Sequence, residues 1–367
     1  MKGILIYDSD HPGALQNKCF EDDYANKGSG NILTVKLARA ARQRGYDIVT
    51  GDVFLASKPD KDVPVFCLTD MVSSRTESLL KRGAIPFLCF CTESPLIARD
   101  FYINIAKLSG RFLYSIQFRG TAERLRGTPT HFLPMYFPVD GRMPLSYGNW
   151  SSRKLLVLVN RNKRAFYSNY TSLKDVVRSL LSPVKLAIQK LSDPWIRSKE
   201  IYKDRVDAIL HFSTNPGFSL YGQGWENRIP GYSKRHHEAA KRAFRGALPT
   251  EGKLPTLHQY KFCICFENCS FPGYITEKIF DCFLAGCIPV YYGAPDIADF
   301  VPADTFVDFR KFSGMQALED YLVNMKEADA IKMLTSAKAF LASREFDKYV
   351  LDNFIDDVLN KVDEQLK

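Results

Sequence analysis

The chain has 367 residues, which fits two domains of ordinary size. With 46% hydrophobic and 13% aromatic residues it can fill real cores, so its composition excludes intrinsic disorder. The formal net charge of +9 indicates an anionic partner, a class that includes nucleic acids, phosphate esters and membrane surfaces.

The first half of the chain alternates between predicted strands and helices. Short apolar runs predict strands at Lys2–Tyr7, Tyr46–Thr50, Pro64–Leu68, Ile85–Cys91 and Arg111–Ile116. A helix with Leu33, Leu37 and Ala41 on one face precedes the second strand. The glycine loop before it, Gly28-Ser-Gly-Asn31, fits either a phosphate-binding turn or an ordinary helix entry.

The second half repeats the pattern after a turn-rich region at 133–152, which we interpret as ending in an interdomain linker. A long helical stretch is predicted from Leu173 to about Leu210, a shorter helix at Thr276–Leu284, and further helices from Met315 onward. Strands are predicted at Lys154–Val159, Phe218–Tyr221, Phe262–Phe266, Ile288–Tyr292 and Phe306–Phe309. The pattern predicts an α/β protein with two doubly wound domains, 1–148 and 149–343, and a C-terminal helical segment, 344–367.

The basic residues are concentrated in one region. Residues 151–260 contain 20 Lys and Arg against 8 Asp and Glu, a local charge of +12, so the rest of the chain sums to −3. No five-residue basic run, zinc-finger pattern or heptad accompanies this excess, and we expect no nucleic-acid partner.

The sequence predicts a soluble protein. Its longest apolar stretch, Cys282–Pro295, is interrupted by Gly286 and Pro289, and the N-terminal run Met1–Tyr7 is too short for a signal-peptide core. The nine cysteines include C-x-C pairs inside apolar runs, a spacing that favours buried thiols in a reducing compartment over zinc ligands. We therefore expect a cytoplasmic protein with at most peripheral contact to the inner face of a membrane.

The segment Tyr260–Phe280 is the most informative part of the sequence. An apolar strand ends at Glu267-Asn268, and Thr276 is a good N-cap for the helix that follows. The helix dipole disfavours a lysine in the first turn, where Lys278 stands, unless an anion such as a diphosphate binds there. The spacing alone leaves both a phosphate site and an ordinary helix start open.

The same segment resembles a known family. Cys265-Phe-Glu-Asn268, Tyr274-Ile-Thr-Glu-Lys278 and Ile288-Pro-Val-Tyr-Tyr-Gly293 are similar to the donor-site signature of glycosyltransferase family 10, the α1,3/α1,4-fucosyltransferases. Upstream, Phe90-Cys-Thr-Glu-Ser-Pro95 resembles the family's Glu-Ser-Pro element.

The resemblance implies a fold, a reaction and site residues. It implies the GT-B fold, in which two facing Rossmann-like domains enclose a cleft, the N-terminal domain holding the acceptor and the C-terminal one the donor. The reaction would be a metal-independent, inverting transfer of L-fucose from GDP-fucose to an N-acetyllactosamine-like glycan. Glu93 matches the family's general base, and four positions match donor-site residues, namely Asn268, Tyr274, Glu277 and Lys278.

The family also has an arginine that contacts the phosphates, and its position here is open. Arg161, Lys163 and Arg164 follow the strand Lys154–Val159, and Arg205 is a further candidate if an insertion intervenes. Arg164 is our preferred candidate. His11 and His131 could line the acceptor site, and Trp225 and Tyr274 could stack on sugar or base.

One sequence motif favours a metal site, contrary to what the resemblance implies. Asp8-Ser-Asp10 matches the Asp-x-Asp pair that holds a divalent ion in many transferases, but it follows the first strand, where turn and cap aspartates are common. We expect no metal and no cofactor, because Lys278 and the basic residues 161–164 could neutralise a diphosphate themselves.

The expected partners are a nucleotide-sugar donor and an oligosaccharide, glycolipid or lipopolysaccharide acceptor. Two alternatives stay open at this point, namely the same fold with another nucleotide sugar, and a non-catalytic protein that binds nucleotides or glycans. The sequence predicts no oligomeric state.

Overall fold

The computed structural model describes residues 1–9, 11–25, 31–58, 62–146, 148–162, 199–227, 232–249 and 252–367. The strands, in chain order, are β1 Ile4–Asp8, β2 Asp47–Thr50, β3 Val65–Thr69, β4 Ile85–Phe90, β5 Tyr114–Gln117, β6 His131–Pro134, β7 Lys154–Val159, β8 Lys199–Glu200, β9 Phe218–Tyr221, β10 Tyr260–Phe266, β11 Cys269–Ser270, β12 Ile288–Tyr292 and β13 Val307–Asp308.

The α-helices are α1 Asp22–Ala25, α2 Ile32–Gln43, α3 Gly51–Ala56, α4 Ser74–Lys81, α5 Arg99–Ile103, α6 Ile105–Leu108, α7 Ala122–Leu125, α8 Tyr202–Phe212, α9 Lys234–Ala243, α10 Lys253–His258, α11 Glu277–Ala285, α12 Met315–Asn324, α13 Glu327–Ala342 and α14 Leu351–Glu364. Short 3₁₀ turns lie at Pro12–Ala14, Lys18–Phe20, Arg119–Thr121, Trp150–Ser152, Ile297–Asp299, Phe309–Lys311 and Arg344–Tyr349.

The chain forms two units. The first contains Met1–Glu93, Ala98–Gly141 and Arg344–Lys367, and the second contains Ser94–Ile97 and Arg142–Ser343. The change of unit at residue 141 falls in the turn-rich region that we interpreted as the linker. Residues 344–367, which we predicted to form a separate C-terminal helical segment, belong to the first unit.

The first unit is built on a six-stranded parallel sheet in the order β2-β1-β3-β4-β5-β6. Helix α14 packs on α2 because one of its faces is apolar and buried, and ion pairs such as Lys2–Asp363 and Arg44–Asp356 lie beside that contact. Strand β6 was missed by the sequence analysis, which interpreted Leu133–Pro138 as turns. As an edge strand it pairs only with β5, and its two ends, His131 and Pro134, are exposed.

The second unit is built on a five-stranded parallel sheet in the order β13-β12-β10-β7-β9, with β8 and β11 as a small antiparallel pair. Its central strands are buried on both faces, as expected when helices cover both sides of a parallel sheet. Helix α11 follows β10 and buries Ile279, Phe280 and Phe283. The carboxyl ends of β7, β9, β10 and β12 therefore meet at one edge, where ligands bind in such sheets.

Three further predictions concern features beyond the sheets. Of the helix predicted from Leu173 to about Leu210, residues 173–198 lie outside the described part, and α8 begins only at Tyr202. The prediction is wrong for Lys199–Glu200, which form strand β8 because they pair with β11. All nine cysteines are free and buried, which confirms the prediction of buried thiols. Among the helices that the structure describes, none has the length and apolar character needed to cross a bilayer.

Candidate active site

Glu267 organises the carboxyl edge of the second sheet. It follows β10 directly, is fully buried, and accepts hydrogen bonds from the Thr276 amide at 2.8 Å and the Thr276 hydroxyl at 2.9 Å. Thr276 is the N-cap residue of α11, as predicted, but its side chain makes no cap bond to the helix. The Glu267 carboxylate therefore fixes the start of α11 in place of the predicted hydroxyl cap.

Lys278 is held by this carboxylate. Its Nζ atom lies 3.0 Å from Glu267 Oε2, 2.8 Å from Thr276 Oγ1 and 3.7 Å from Glu277 Oε1. Burial lowers the pKa of Lys278, but the neighbouring Glu267 and Glu277 carboxylates raise it above its ordinary value. For Glu277, burial raises the pKa, yet Lys278 and Lys253 outweigh burial and lower it to about 2. Both first-turn residues are thus charged at neutral pH.

Gly293 makes room for Glu267 next to β12. A Cβ atom at position 293 would lie 2.6 Å from Glu267 Cγ and 2.5 Å from the Tyr291 hydroxyl oxygen, closer than atoms in contact can approach. The backbone after β12 therefore packs directly on the buried carboxylate. Only glycine permits this approach without displacing Glu267 or Tyr291.

Arg205 reaches the same edge from α8 and is 1% exposed. Its Nε and Nη2 atoms donate to the Phe266 carbonyl at 3.0 and 2.5 Å, and Nη2 also donates to Asn268 Oδ1 at 3.0 Å. The third nitrogen, Nη1, is buried and has no hydrogen-bond partner among the described residues. Because an unpaired buried donor is costly, this nitrogen can donate to a further partner, such as a phosphate oxygen or a water molecule.

Asn268 connects Arg205 to Tyr274. Its Oδ1 atom accepts from Arg205, and its Nδ2 atom donates to the Tyr274 hydroxyl at 3.2 Å. The Tyr274 side chain is 2% exposed, so its ring is not open to a stacking ligand. The predicted stacking role of Tyr274 is therefore wrong for this structure, although the residue belongs to the cluster.

Three cationic side chains line one small cavity of about 10 Å³ under this edge, namely Arg205, Lys278 and Lys253. Lys253 also pairs with Asp281 at 2.6 Å. Its pKa lies above the ordinary value because the attraction of Asp281 and Glu277 exceeds the opposing effect of burial. Both lysines thus have carboxylate partners, and Arg205 is the cation of this cavity whose hydrogen-bond acceptors among the described residues are neutral oxygens. A surrounding that excludes most water strengthens its attraction for an anion.

Of the other basic residues predicted to contact the phosphates, only Arg161 lies in the described part of the chain. Arg161 is exposed and follows the carboxyl end of β7, whereas Lys163 and Arg164 lie outside the described residues. Trp225, which was predicted to stack on a ligand, is 2% exposed and donates its indole N–H to the Asn160 carbonyl at 2.5 Å. That prediction is wrong, because the indole belongs to the core of the second unit.

Glu93 follows β4 in the first unit, and its side chain is exposed. Its carbonyl oxygen accepts from the Tyr102 hydroxyl at 2.9 Å, which fixes the backbone behind the carboxylate. His11 follows β1 at the same edge of the sheet, and its Nδ1 atom lies 3.5 Å from the Tyr24 hydroxyl. His131 instead begins β6 in register with Tyr114, so the structure does not bring it to the edge that carries Glu93.

The first aspartate of the Asp-x-Asp signal makes folding contacts. Asp8 is 1% exposed, and its two carboxylate oxygens accept from Arg75 Nε and from the Thr76 hydroxyl, the latter at 2.6 Å. Asp10 lies outside the described residues. The carboxylate of Asp8 therefore connects β1 to α4, which agrees with its interpretation as a structural aspartate.

A cluster of potential metal ligands within the described part of the chain consists of three buried thiols. The Sγ atoms of Cys263, Cys265 and Cys282 all lie within 4.8 Å of one another, and those of Cys265 and Cys282 are 3.2 Å apart. Burial raises the pKa of Cys265 and Cys282 well above the ordinary thiol value. Without a bound metal ion, these two thiols are therefore protonated at neutral pH.

Sequence reasoning located the donor edge but missed Glu267 and Lys253. Glu267 was visible as the residue directly after an apolar strand and beside Asn268, a position where a buried acid can reach the next helix. Lys253 carried no local signal, because its partner Asp281 lies on a different helix.

The comparisons with known proteins agree with this location. Residues 195–333 match the family described as "Glycosyltransferase family 10 (fucosyltransferase) C-term". The α-(1,3)-fucosyltransferase FucT of Helicobacter pylori is 45% identical over 73 residues, 20% of this chain and 15% of its own length. The α-(1,3)-fucosyltransferase B of Drosophila melanogaster is 34% identical over 142 residues, 38% of this chain and 30% of its own. The matches thus span less than a third of either relative.

Comparison with solved structures identifies the fold of the chain. Sucrose-phosphate synthase from Thermosynechococcus elongatus aligns over 99% of both chains with a TM-score of 0.58 and 11% identity. Anabaena HepE, solved with UDP and glucose, aligns over 99% of this chain and 100% of its own with a TM-score of 0.54 and 11% identity. At such identity the likeness shows the fold alone, and the predicted GT-B class is confirmed.

The region that matches the family contains Arg205, Glu267, Asn268 and Lys278, the residues that meet at the carboxyl edge of the second sheet. Through this region, the chain is similar to the fucosyltransferases of glycosyltransferase family 10.

Proposed function

We propose that the protein transfers L-fucose from GDP-fucose to a hydroxyl group of a glycan, with inversion at the anomeric carbon. The observation that carries this proposal is the buried Nη1 atom of Arg205, which has no hydrogen-bond partner in the described part of the chain and shares a small cavity with Lys278. A diphosphate supplies the missing acceptor and is the anionic part of a nucleotide sugar.

The reaction is a single displacement. The acceptor oxygen attacks C1 of fucose while the bond from C1 to the β-phosphate oxygen breaks, and its electron pair leaves with GDP. The acceptor proton passes to the carboxylate of Glu93, whose exposed side chain is accessible to a substrate. One displacement from the face opposite the leaving group accounts for the inversion.

The leaving group gains negative charge as the bond breaks. In our proposal Lys278 and Arg205 stabilise that charge, the role that a divalent metal has in many other transferases. Glu267 keeps Lys278 in place and Asp281 pairs with Lys253, whereas Arg205 donates only to neutral oxygens among the described residues and keeps its full charge for the leaving group. We therefore propose a metal-independent reaction without a cofactor.

The choice of donor and acceptor is supported by the relatives. The matched proteins are named as α-(1,3)-fucosyltransferases in H. pylori and D. melanogaster, and another is named as an α-(1,4)-fucosyltransferase in Arabidopsis thaliana. We propose an N-acetyllactosamine-like acceptor in an oligosaccharide, glycolipid or lipopolysaccharide, joined through an α1,3 or α1,4 linkage. His11, at the edge that carries Glu93, is the proposed acceptor contact.

A donor panel tests the proposal. GDP-fucose, GDP-mannose, UDP-glucose and UDP-galactose are each incubated with N-acetyllactosamine in excess EDTA, and products are read by mass spectrometry with linkage analysis. A deoxyhexose adduct from GDP-fucose alone is expected. A hexose adduct would show that the donor is another nucleotide sugar, and strict dependence on added Mn²⁺ would contradict the metal-free reaction. Absence of product with every donor would favour a non-catalytic binding protein.

A further inference from the structure

A second cavity lies in the first unit, away from Glu93. It has a volume of about 240 Å³ and lies between the faces of β4–β6 and the C-terminal residues 347–361. Its wall is formed mainly by aromatic rings and aliphatic side chains, among them Phe87, Tyr114, Tyr136 and Phe354. No residue between 89 and 113 lines it, so the cavity is separate from the edge that carries Glu93.

The polar side chains of the cavity carry both signs of charge. They come from the C-terminal residues, namely Asp347, Lys348, Asn353, Asp357 and Lys361. Two ammonium groups, two carboxylates and one amide therefore surround an aromatic cavity without a net charge.

The lysines are held over aromatic rings. Lys348 Nζ lies 4.7 Å from the centroid of the Tyr136 ring, and Lys361 Nζ lies 5.3 Å from that of Tyr114. Within the described chain neither ammonium group has a carboxylate at salt-bridge distance, although Asp357 stands one helical turn before Lys361. Both lysines, and the Asp357 carboxylate, thus keep hydrogen-bonding capacity for a ligand.

We infer that this cavity binds one pyranose ring of a neutral saccharide. A pyranose offers apolar C–H faces to the aromatic wall, while its hydroxyl groups donate to carboxylates and accept from ammonium groups. A fatty acid or phosphate would place its anionic head near Asp347 and Asp357, and an apolar ligand would offer no hydrogen bonds to Lys348, Lys361 and Asp357. The volume is below the 300–1,000 Å³ typical of sites for drug-sized ligands, which fits a single ring.

Such a site would hold a second sugar residue of a longer glycan on the acceptor-binding unit. The inference goes beyond the proposed transfer reaction and does not need it, because saccharide binding is measured without any nucleotide. If the protein showed no transfer activity but still bound the saccharide, the proposed function would be disproved and the inference of a second binding site would be unaffected.

The test measures binding by saturation-transfer NMR with methyl β-D-galactopyranoside and methyl β-D-glucopyranoside. Removing the hydrogen-bonding carboxylate in Asp357→Ala should weaken binding about tenfold. Glu364→Ala, an exposed change at the end of the same helix, should bind as the wild type does.

A blocking experiment provides an independent measurement. All nine native cysteines are buried, so the variant Asn353→Cys can be labelled selectively at the rim of the cavity with a bulky maleimide. The label should abolish the saturation transfer, while the same label on Glu364→Cys should not. Equal binding by labelled and unlabelled protein, no binding of either glycoside, or preferential binding of laurate would overturn the inference.

Discussion

The substitution Glu267→Gln tests whether the buried carboxylate holds the donor edge together. Glu267 is fully buried, pairs with Lys278 at 3.0 Å, and accepts from both donors of Thr276. The amide keeps the shape but removes the charge, which leaves Lys278 with Glu277 at 3.7 Å as its remaining ion-pair partner. Removing one partner of a buried ion pair costs about 3–5 kcal/mol, and because the amide oxygen still accepts one bond we expect a loss of about 3 kcal/mol.

The free energy of unfolding can be measured for the second unit alone. The three tryptophans of the chain, Trp150, Trp195 and Trp225, all lie in the sequence range of that unit, so urea unfolding followed by tryptophan fluorescence reports on it. The exposed residue Glu327 serves as the control, and Glu327→Gln should change the free energy by less than about 0.5 kcal/mol.

A double-mutant cycle with Lys278→Met separates the ion pair from general damage. We expect a coupling free energy of about 2 kcal/mol between positions 267 and 278, within the range for residues in direct contact. A loss of less than about 1 kcal/mol in Glu267→Gln, or a coupling near zero, would refute the reasoning that this carboxylate positions Lys278.

Three further predictions address the site. Gly293→Ala should destabilise the second unit by about 1–3 kcal/mol, because its Cβ would meet Glu267 Cγ at 2.6 Å, whereas Gly314→Ala, with open space around it, should change urea unfolding little. Glu93→Gln should abolish transfer and keep the GDP affinity in calorimetry; loss of both would point to a role in folding. The pKa of Glu277 is about 2 and that of Lys278 is raised, so both stay charged and GDP affinity should be constant from pH 7 to 9. The stabilisation from the lowered pKa of Glu277 is complete above the ordinary carboxyl pKa and is lost as the pH falls toward 2. A GDP affinity that falls steeply between pH 7 and 9 would contradict these charge states.

Strands inside the sheets were predictable from sequence because burial on both faces requires continuous apolar runs. The predicted and observed ranges coincide for β7, β9 and β12, and differ by one to three residues at an end for most others. Edge strand β6 carried no such run, since burial does not constrain its two ends. The placement of α14 on the first sheet depends on contacts between distant parts of the chain, which periodicity does not encode.

Within the site, the sequence located the residues but not their contacts. Asn268, Tyr274 and Lys278 form one cluster as expected, but the cap made by Glu267 and the unpaired nitrogen of Arg205 result from side-chain packing. The aromatic side chains show the same limit, because composition does not tell whether a ring faces a ligand or the core. Trp225 is in the core.

The central claim is that fixed cationic side chains bind the diphosphate without a metal, and GDP calorimetry in excess EDTA tests it most directly. The account predicts that the wild-type protein binds GDP under these conditions. Arg205→Met, whose fold is checked by tryptophan fluorescence, should lose at least about tenfold in affinity, because one charge-assisted hydrogen bond contributes about 1.5–3 kcal/mol. Binding that requires added Mn²⁺, or unchanged affinity in a folded Arg205→Met variant, would contradict the account.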